Sequence, residues 1–326
     1  MADSITETPV VKTKSRGWFV DFFTRLVKEK PLGVVGGIIT LLLLLTGIFA
    51  DVISPYGMNE TWVGGYLEPP SAAFPFGTDN VGRDILSRVI YGARISVIVG
   101  LAASALSTAM SVVIGVLSGY IGGKFDLTVQ RGVDTWMCLP SLVVLMVIMS
   151  AIGPGIFSII IVLGITRGIG GSRLIRGAVI GIKENVYVQA GVAIGSPTWR
   201  ILLRHILPNI MSVTVILFSV RVPAIVMTEA SLSFLGFGIP APFPSWGGML
   251  SGAGRMYMYD APWIMIWPGV ALAIVVYGIN MFGDAVRDII DPRLRGGVGR
   301  FDAGDKQEKA KPKAQVEPAN SPKARS

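Results

Sequence analysis

Apolar residues in this chain gather into long uncharged runs instead of alternating with polar ones. Pro31 to Ala50 is uncharged over about 20 residues, which at roughly 1.5 Å each gives about the 30 Å of a bilayer core. Ile95 to about Tyr120 is a second such run, rich in small residues (Ala102, Ala103, Ser104, Ser107, Gly115) that permit close helix packing. Thr135 to Thr166 is uncharged over about 32 residues, roughly 48 Å as one helix, too long for one span and a little short for two. Gly153-Pro154-Gly155 divides it into spans three and four with a tight turn. Ile206 to Ser231 predicts span five and Ala261 to Gly283 span six. The fold class expected is therefore all-α, a polytopic membrane protein of six transmembrane helices.

Between these runs the chain is polar. Trp18 to Lys30 sets Trp18, Phe19, Phe22, Phe23 and Leu26 beside Arg25, Lys28 and Lys30, the pattern of a helix lying in the headgroup region. Residues 1–17 have acidic groups and no apolar core, so a cleavable signal peptide is not expected and Leu32 to Ala50 is expected to remain as an anchor. Asp51 to Phe76 predicts an extracytoplasmic loop. In FGTDNVGRDILSRVIYGARIS either Thr78 or Asp79 can cap an amphipathic interfacial helix, with Asp84 facing Arg88 at four-residue spacing. Gly122-Gly123-Lys124 with Asp126, Arg131 and Asp134 predicts a short inner loop. Lys and Arg are dense in the amino end, in residues 183–209 and in the carboxyl end, which places both termini in the cytoplasm. The organisation expected is a cytoplasmic amino segment over 1–30, a six-helix membrane domain over 31–295, and a disordered cytoplasmic tail over 296–326.

Composition agrees. Of 326 residues 51% are hydrophobic and 15% charged, against roughly 25% charged in soluble domains. The net charge of +8 would suggest nucleic acid in a soluble chain, but here it follows from basic residues flanking the spans, so no nucleic acid is expected. The single cysteine, Cys138, excludes an intrachain disulfide and is expected to be a buried small hydrophobe. The one histidine, His205, has no Cys or His companion, which disfavours a metal centre or an intramembrane serine protease. Met249, Met256, Met258 and Met265 suit adaptable packing better than soft-metal ligation. No G-x-x-x-x-G-K-[ST] phosphate loop is present: Gly123-Lys124 is followed by Phe125. Arg167, Arg221 and Glu229 fall within predicted spans, where a charge costs about 2.5 to 3.5 kcal/mol and usually faces a cavity or a partner. They either line a translocation path or pair within the helix bundle.

The stretch Tyr187 to Asn209, YVQAGVAIGSPTWRILLRHILPN, is a polar excursion between two spans. Gly195 can end a short helix and Pro208 can sit only where a helix begins or breaks, so a short helix, a turn and a new helix are predicted. Gln189-Ala190-Gly191, then Gly195 and Ile206-Leu207-Pro208, resembles the loop signature of binding-protein-dependent ABC importer permeases, whose usual triplet is Glu-Ala-Ala. Gln189 lacks the carboxylate, and Gly191 lowers helix propensity by roughly 1 kcal/mol relative to Ala. Three further segments carry the likeness. Gly77-Thr78-Asp79 with Gly82-Arg83-Asp84, Ser87-Arg88, Gly92, Arg94 and Ser96 is similar to the dipeptide, oligopeptide and nickel branch. Ser231 to Gly236 with Pro244-Ser245-Trp246-Gly247 is similar to the family's outer loop. Gly283-Asp284-Ala285-x-Arg287-Asp288-x-x-Asp291-Pro292-Arg293 is similar to its ending.

The resemblance implies a type I importer permease fold in a bacterial inner membrane. It implies that Tyr187, Val188, Gln189, Ala190, Gly191, Gly195, Ile206, Leu207 and Pro208 form a coupling helix and its flank, docking into an ATPase. The chain itself binds no cofactor on this reading; ATP and magnesium belong to partner subunits. Implied partners are a second homologous permease, two ATPase subunits or domains, an extracytoplasmic solute-binding protein and the lipid bilayer. The cargo implied is di- or oligopeptides, with nickel or another small solute as the alternative. An ATP-independent secondary carrier and a non-transporting scaffold are the competing classes.

Overall fold

In hydrocarbon an uncharged run can satisfy its backbone groups only internally, and each predicted run is helical in the computed structural model, which describes residues 18–290. The expectations for residues 1–17, for Asp291-Pro292-Arg293 and for the 296–326 tail lie outside the described residues. Helix α1 (Trp18–Glu29) is the amphipathic segment. Helix α2 (Pro31–Ile48) opens on Pro31, whose missing N–H costs nothing in a first turn. After a single turn, α3 (Ala50–Ile53), the chain forms a long loop and enters α4 (Ile85–Ile121). Then follow α5 (Gly123–Met137), α6 (Ser141–Ile152), α7 (Ile156–Lys183), α8 (Val186–Ala193) and α9 (Thr198–Ile201). A π turn over Leu202–Ile206 leads into α10 (Leu207–Phe234), and α11 (Trp246–Leu250), α12 (Gly252–Met256) and α13 (Trp263–Ile290) complete the described chain.

Several expectations are corrected. The interfacial helix and span two are one helix of 37 residues, about 55 Å long. Neither Thr78 nor Asp79 caps it. Asp84 does, accepting from the Ser87 backbone N–H at 2.8 Å and the Ser87 hydroxyl at 2.6 Å. Thr78 and Asp79 instead brace the preceding loop, Thr78 donating to the Gly65 carbonyl at 2.6 Å and Asp79 pairing with Arg83 at 2.6 Å. Arg88 turns from Asp84 toward the Met58 carbonyl, 3.4 Å away.

The inner loop at residues 122–134 is instead α5. Only Gly122 and Gly123, with φ of 70° and 57°, break the chain there. Asp126 and Asp134 are helix charges that bind Arg176 and Arg173 of α7. Span three is consequently a bent pair, α5 and α6 meeting at 90°, with Pro140 preceding the second helix. Cys138, expected to be buried, is exposed at this bend because the break lifts it from both helices.

The bent pair nonetheless crosses the bundle. Arg94 of α4 donates to the Gly47 carbonyl at 2.9 Å, so α4 begins where α2 ends. Lys183 at the end of α7 donates to the Tyr120 carbonyl at 2.7 Å, so α7 and α4 end together, and α5–α6 must carry the chain between the two ends. Trp246 binds the Val89 carbonyl at 3.0 Å and Trp263 binds the Thr78 carbonyl at 3.1 Å, which puts the 235–262 segment beside the start of α4. At the opposite end Lys30 and Asp288 meet at 2.6 Å. The Asp288 carboxylate holds the Lys30 ammonium above its ordinary pKa, while the Arg94 guanidinium holds Asp51 below the usual carboxylate range. Among the described residues five helices are long and apolar enough to span, six with the bent pair.

Small residues set the packing. A Cβ on Gly36 of α2 would lie 2.5 Å from the Gly278 carbonyl of α13, and one on Gly115 of α4 would lie 2.6 Å from the Ser172 carbonyl of α7. Ile95, Val99 and Ala103 of α4, Leu145 and Met149 of α6, Leu163 of α7 and Ile225 of α10 form one buried cluster. A second joins Val116, Ile175 and Val179 to Val188 and to Ile201, Ile206 and Ile210.

Candidate functional site

The knuckle between α7 and α10 is built from its backbone outward. Lys183 closes α7 on α4, its ammonium also lying 5.5 Å from the Tyr120 ring centroid. Helix α8 then follows Asn185, whose extended backbone turns the chain. At its far end Gly195 adopts φ of 74°; its N–H reaches the Val192 carbonyl at 2.9 Å and the Ser196 N–H reaches the Gly191 carbonyl at 3.1 Å. This paired closure with a left-handed glycine is a Schellman cap, and Pro197 after it begins α9. The predicted order of short helix, turn and new helix is what forms.

Placement of the sequence-predicted residues follows from this geometry. Tyr187, Val188, Gln189, Ala190 and Gly191 share α8, and Gly195 caps it. Val188 is fully buried beside Ile175, Val179, Ile201 and Ile206, so it is the rivet that holds α8 to the bundle. Ile206 ends the π turn in the same cluster; Leu207 and Pro208 open α10, where proline needs no N–H partner. Tyr187 packs against His205, ring centroids 6.2 Å apart. Gln189 donates its amide to the Glu184 carbonyl at 3.2 Å, satisfying an orphan carbonyl at the end of α7; a carboxylate there has no donor for that task.

Sequence reasoning missed the knuckle's outer rim. Val186 is 82% exposed, Ile194 81%, Trp199 60%, Leu203 59% and Val192 55%. Arg200, stacked 5.6 Å from the Trp199 ring centroid, stands among them. Exposed apolar residues around an anchored helix are the form of a docking surface. Apolar residues interspersed in an otherwise basic loop were the available signal.

Arg167, Arg221 and Glu229 separate into two places. Arg221 of α10 donates to the Ser107 hydroxyl of α4 and to the Arg167 backbone carbonyl of α7, the latter at 3.1 Å. Arg167 donates to the Thr228 hydroxyl of α10 at 3.0 Å. Both arginines line a cavity of about 370 Å³ between α5–α6, α7 and α10. Glu229 is not among its lining residues: buried nearer the end of α10, it accepts from the Ser233 hydroxyl at 2.7 Å, and Ser233 accepts from the Ile239 N–H at 3.2 Å. Glu229 thus braces the loop after α10. Among the described residues no three His, Cys, Asp or Glu side chains converge as a metal site would need.

Residues 111–296 match the model of the binding-protein-dependent transport system inner membrane component, and residues 18–70 match the N-terminal TM domain of oligopeptide transport permease C. The chain is 39% identical to the oligopeptide transport system permease protein OppC of Bacillus subtilis (strain 168), covering 87% of this chain and 93% of that protein. It is 36% identical to the dipeptide transport system permease protein DppC of the same organism, covering 89% and 90%. It is 35% identical to a probable D,D-dipeptide transport system permease protein DdpC of Escherichia coli (strain K12), covering 83% and 91%. A chain of the MetNI methionine ABC transporter, solved in inward-facing conformations, shares the fold with a TM-score of 0.51 at 19% identity, covering 64% of this chain and 98% of that one. The chain belongs to the inner-membrane permease family of binding-protein-dependent ABC transport systems.

Proposed function

We propose that this chain is one of two permease subunits of an ATP-driven importer of di- and oligopeptides, and that α8 with its exposed rim is where an ATPase subunit docks. The rim carries the reading: a short helix riveted to the bundle through Val188 presents apolar residues that no other described residue covers. ATP binding draws the ATPase subunits together, the docked α8 follows, and α7 and α10 transmit the displacement because both pack on the same cluster. ATP and magnesium reside in those partners. A second permease completes the path, and a solute-binding protein delivers cargo at the end formed by residues 54–84 and 235–262. Peptide is preferred to nickel because the relatives named above include oligopeptide and dipeptide permeases.

The knuckle end faces the cytoplasm on this reading, together with both ends of the described chain. The density of Lys124, Arg131, Arg173, Arg176, Lys183, Arg200 and Arg204 at that end supports it. The test is Val186→Asp with Ile194→Asp, both at exposed positions, in the complete complex. We expect the ATPase subunits to be lost on purification and peptide uptake to fall at least tenfold with the permease pair still assembled. Undiminished co-purification and uptake would refute docking at α8.

A further inference from the structure

The two arginines form a pair of positive charges between spans for which the described residues supply no counter-ion. Every ion pair of the membrane helices engages other residues, and neither Arg167 nor Arg221 takes part in one. Their bonding is unequal. Arg221 is fixed: its two terminal nitrogens are held by Ser107 and by the Arg167 carbonyl, and its guanidinium occupies the space where Gly171 lacks a side chain. Arg167 has one terminal nitrogen on Thr228, while its buried Nε has no acceptor. A buried N–H without an acceptor is destabilising, and a charged one more so, unless an anion arrives. A carboxylate approaching side-on offers one oxygen each to Nε and a terminal nitrogen of one guanidinium and neutralises its charge, which a neutral acceptor does not.

From this geometry we infer that the cavity binds the carboxylate of a peptide in transit, with Arg167 as the binding group and Arg221 as a fixed positioning charge behind it. The inference rests on the peptide-import reading and adds the group that is recognised. The walls beside the arginines are apolar, formed by Trp136, Leu145, Val220 and Ile225, and so suit side chains of varied shape. The terminal carboxylate is the one anion that all linear peptides carry. A cavity of about 370 Å³ lies at the small end of ligand sites, enough for the end of a peptide and too small for a whole long one.

The test uses the complete complex of permeases and ATPases without binding protein, titrated calorimetrically with trialanine and with trialanine amide. The free acid should bind at least tenfold more tightly than the amide. Arg167→Gln should bring the acid to the level of the amide, Arg167→Lys should recover part of the difference, and both variants should retain all partner subunits. Equal affinity for acid and amide, no binding of either, or an acid preference that survives Arg167→Gln would each overturn the inference. Loss of the second permease from the Arg167→Gln complex would overturn it too, assigning the charge to a carboxylate of that subunit. A complex without ATPase subunits would instead sink the importer reading; one that hydrolyses ATP and imports peptide but does not discriminate acid from amide sinks only this inference.

Discussion

Gly171 and Arg221 compete for one small volume. A Cβ on Gly171 would fall 1.5 Å from an Arg221 terminal nitrogen and 2.7 Å from the Ser111 hydroxyl, so Gly171→Ala must displace the nitrogen that Arg221 donates to the Arg167 carbonyl. Six residues along the same helix, Gly177 has nothing within 4 Å of its would-be Cβ and serves as a control. We expect Gly171→Ala to cost about 1–3 kcal/mol in thermal unfolding of the purified complex, the usual penalty of overpacking. Gly177→Ala should leave stability unchanged or raise it by up to about 1 kcal/mol through helix propensity. At this scale the sequence identified Arg167 and Arg221 by their cost in a span and left their surroundings open. Ser107 and Thr228 lie 114 and 61 residues from the arginines they bind, a separation no local pattern reveals. Glu229 stood out on the same grounds, yet its partner Ser233 is one helical turn away and its task is to hold a loop.

The elements show where a membrane sequence is legible and where it is not. Uncharged runs set helix existence, because hydrocarbon leaves the backbone no alternative, and those runs appear in α2, α4, α6, α7, α10 and α13. Boundaries were misplaced wherever charges sit inside a helix. Asp126 and Arg176 satisfy each other across 50 residues, so that carboxylate is neutralised within a helix whose sequence resembles a loop. The entry to α10 is the other case. Ile201 and Ile206 are both buried though five residues apart, a spacing that an α-helix does not keep on one face and that the π turn over Leu202–Ile206 supplies. Ile210 then continues at four. Deleting Leu203, which is exposed, makes the spacing four throughout and lets an ordinary helix bury the same three isoleucines. We expect this deletion to change stability by less than about 1 kcal/mol while re-aiming α8 and α9 relative to α10, so that peptide uptake falls with the thermal midpoint retained. A collapsed midpoint would show instead that the π turn belongs to the stable core.

The whole molecule turns on whether the bent α5–α6 pair is a crossing. As a re-entrant hairpin it would return the chain to the end it left, and α7, α10 and α13 would each run the opposite way. The contacts oppose this. Lys183 reaches Tyr120 at one end of the bundle, while Trp263 reaches Thr78 and Arg94 reaches Gly47 at the other, and only a crossing by α5–α6 allows all three. The sequence anticipated this count through the length of the Thr135–Thr166 run and the Gly153-Pro154-Gly155 turn, but not the break at Pro140 that leaves α6 only 12 residues long. Single cysteines in a Cys138→Ser background decide the matter: Ser71→Cys in the first loop, Pro154→Cys in the turn after α6, and Thr198→Cys in the knuckle, all at exposed positions. With a membrane-impermeant maleimide on intact cells stripped of their outer layers, Ser71→Cys and Pro154→Cys should label and Thr198→Cys should label only after permeabilisation. If Pro154→Cys labels only after permeabilisation and Thr198→Cys labels on intact cells, α5–α6 does not cross. If Thr198→Cys labels from outside, α8 lies on the side where no ATPase could reach it, and the proposed drive fails with it.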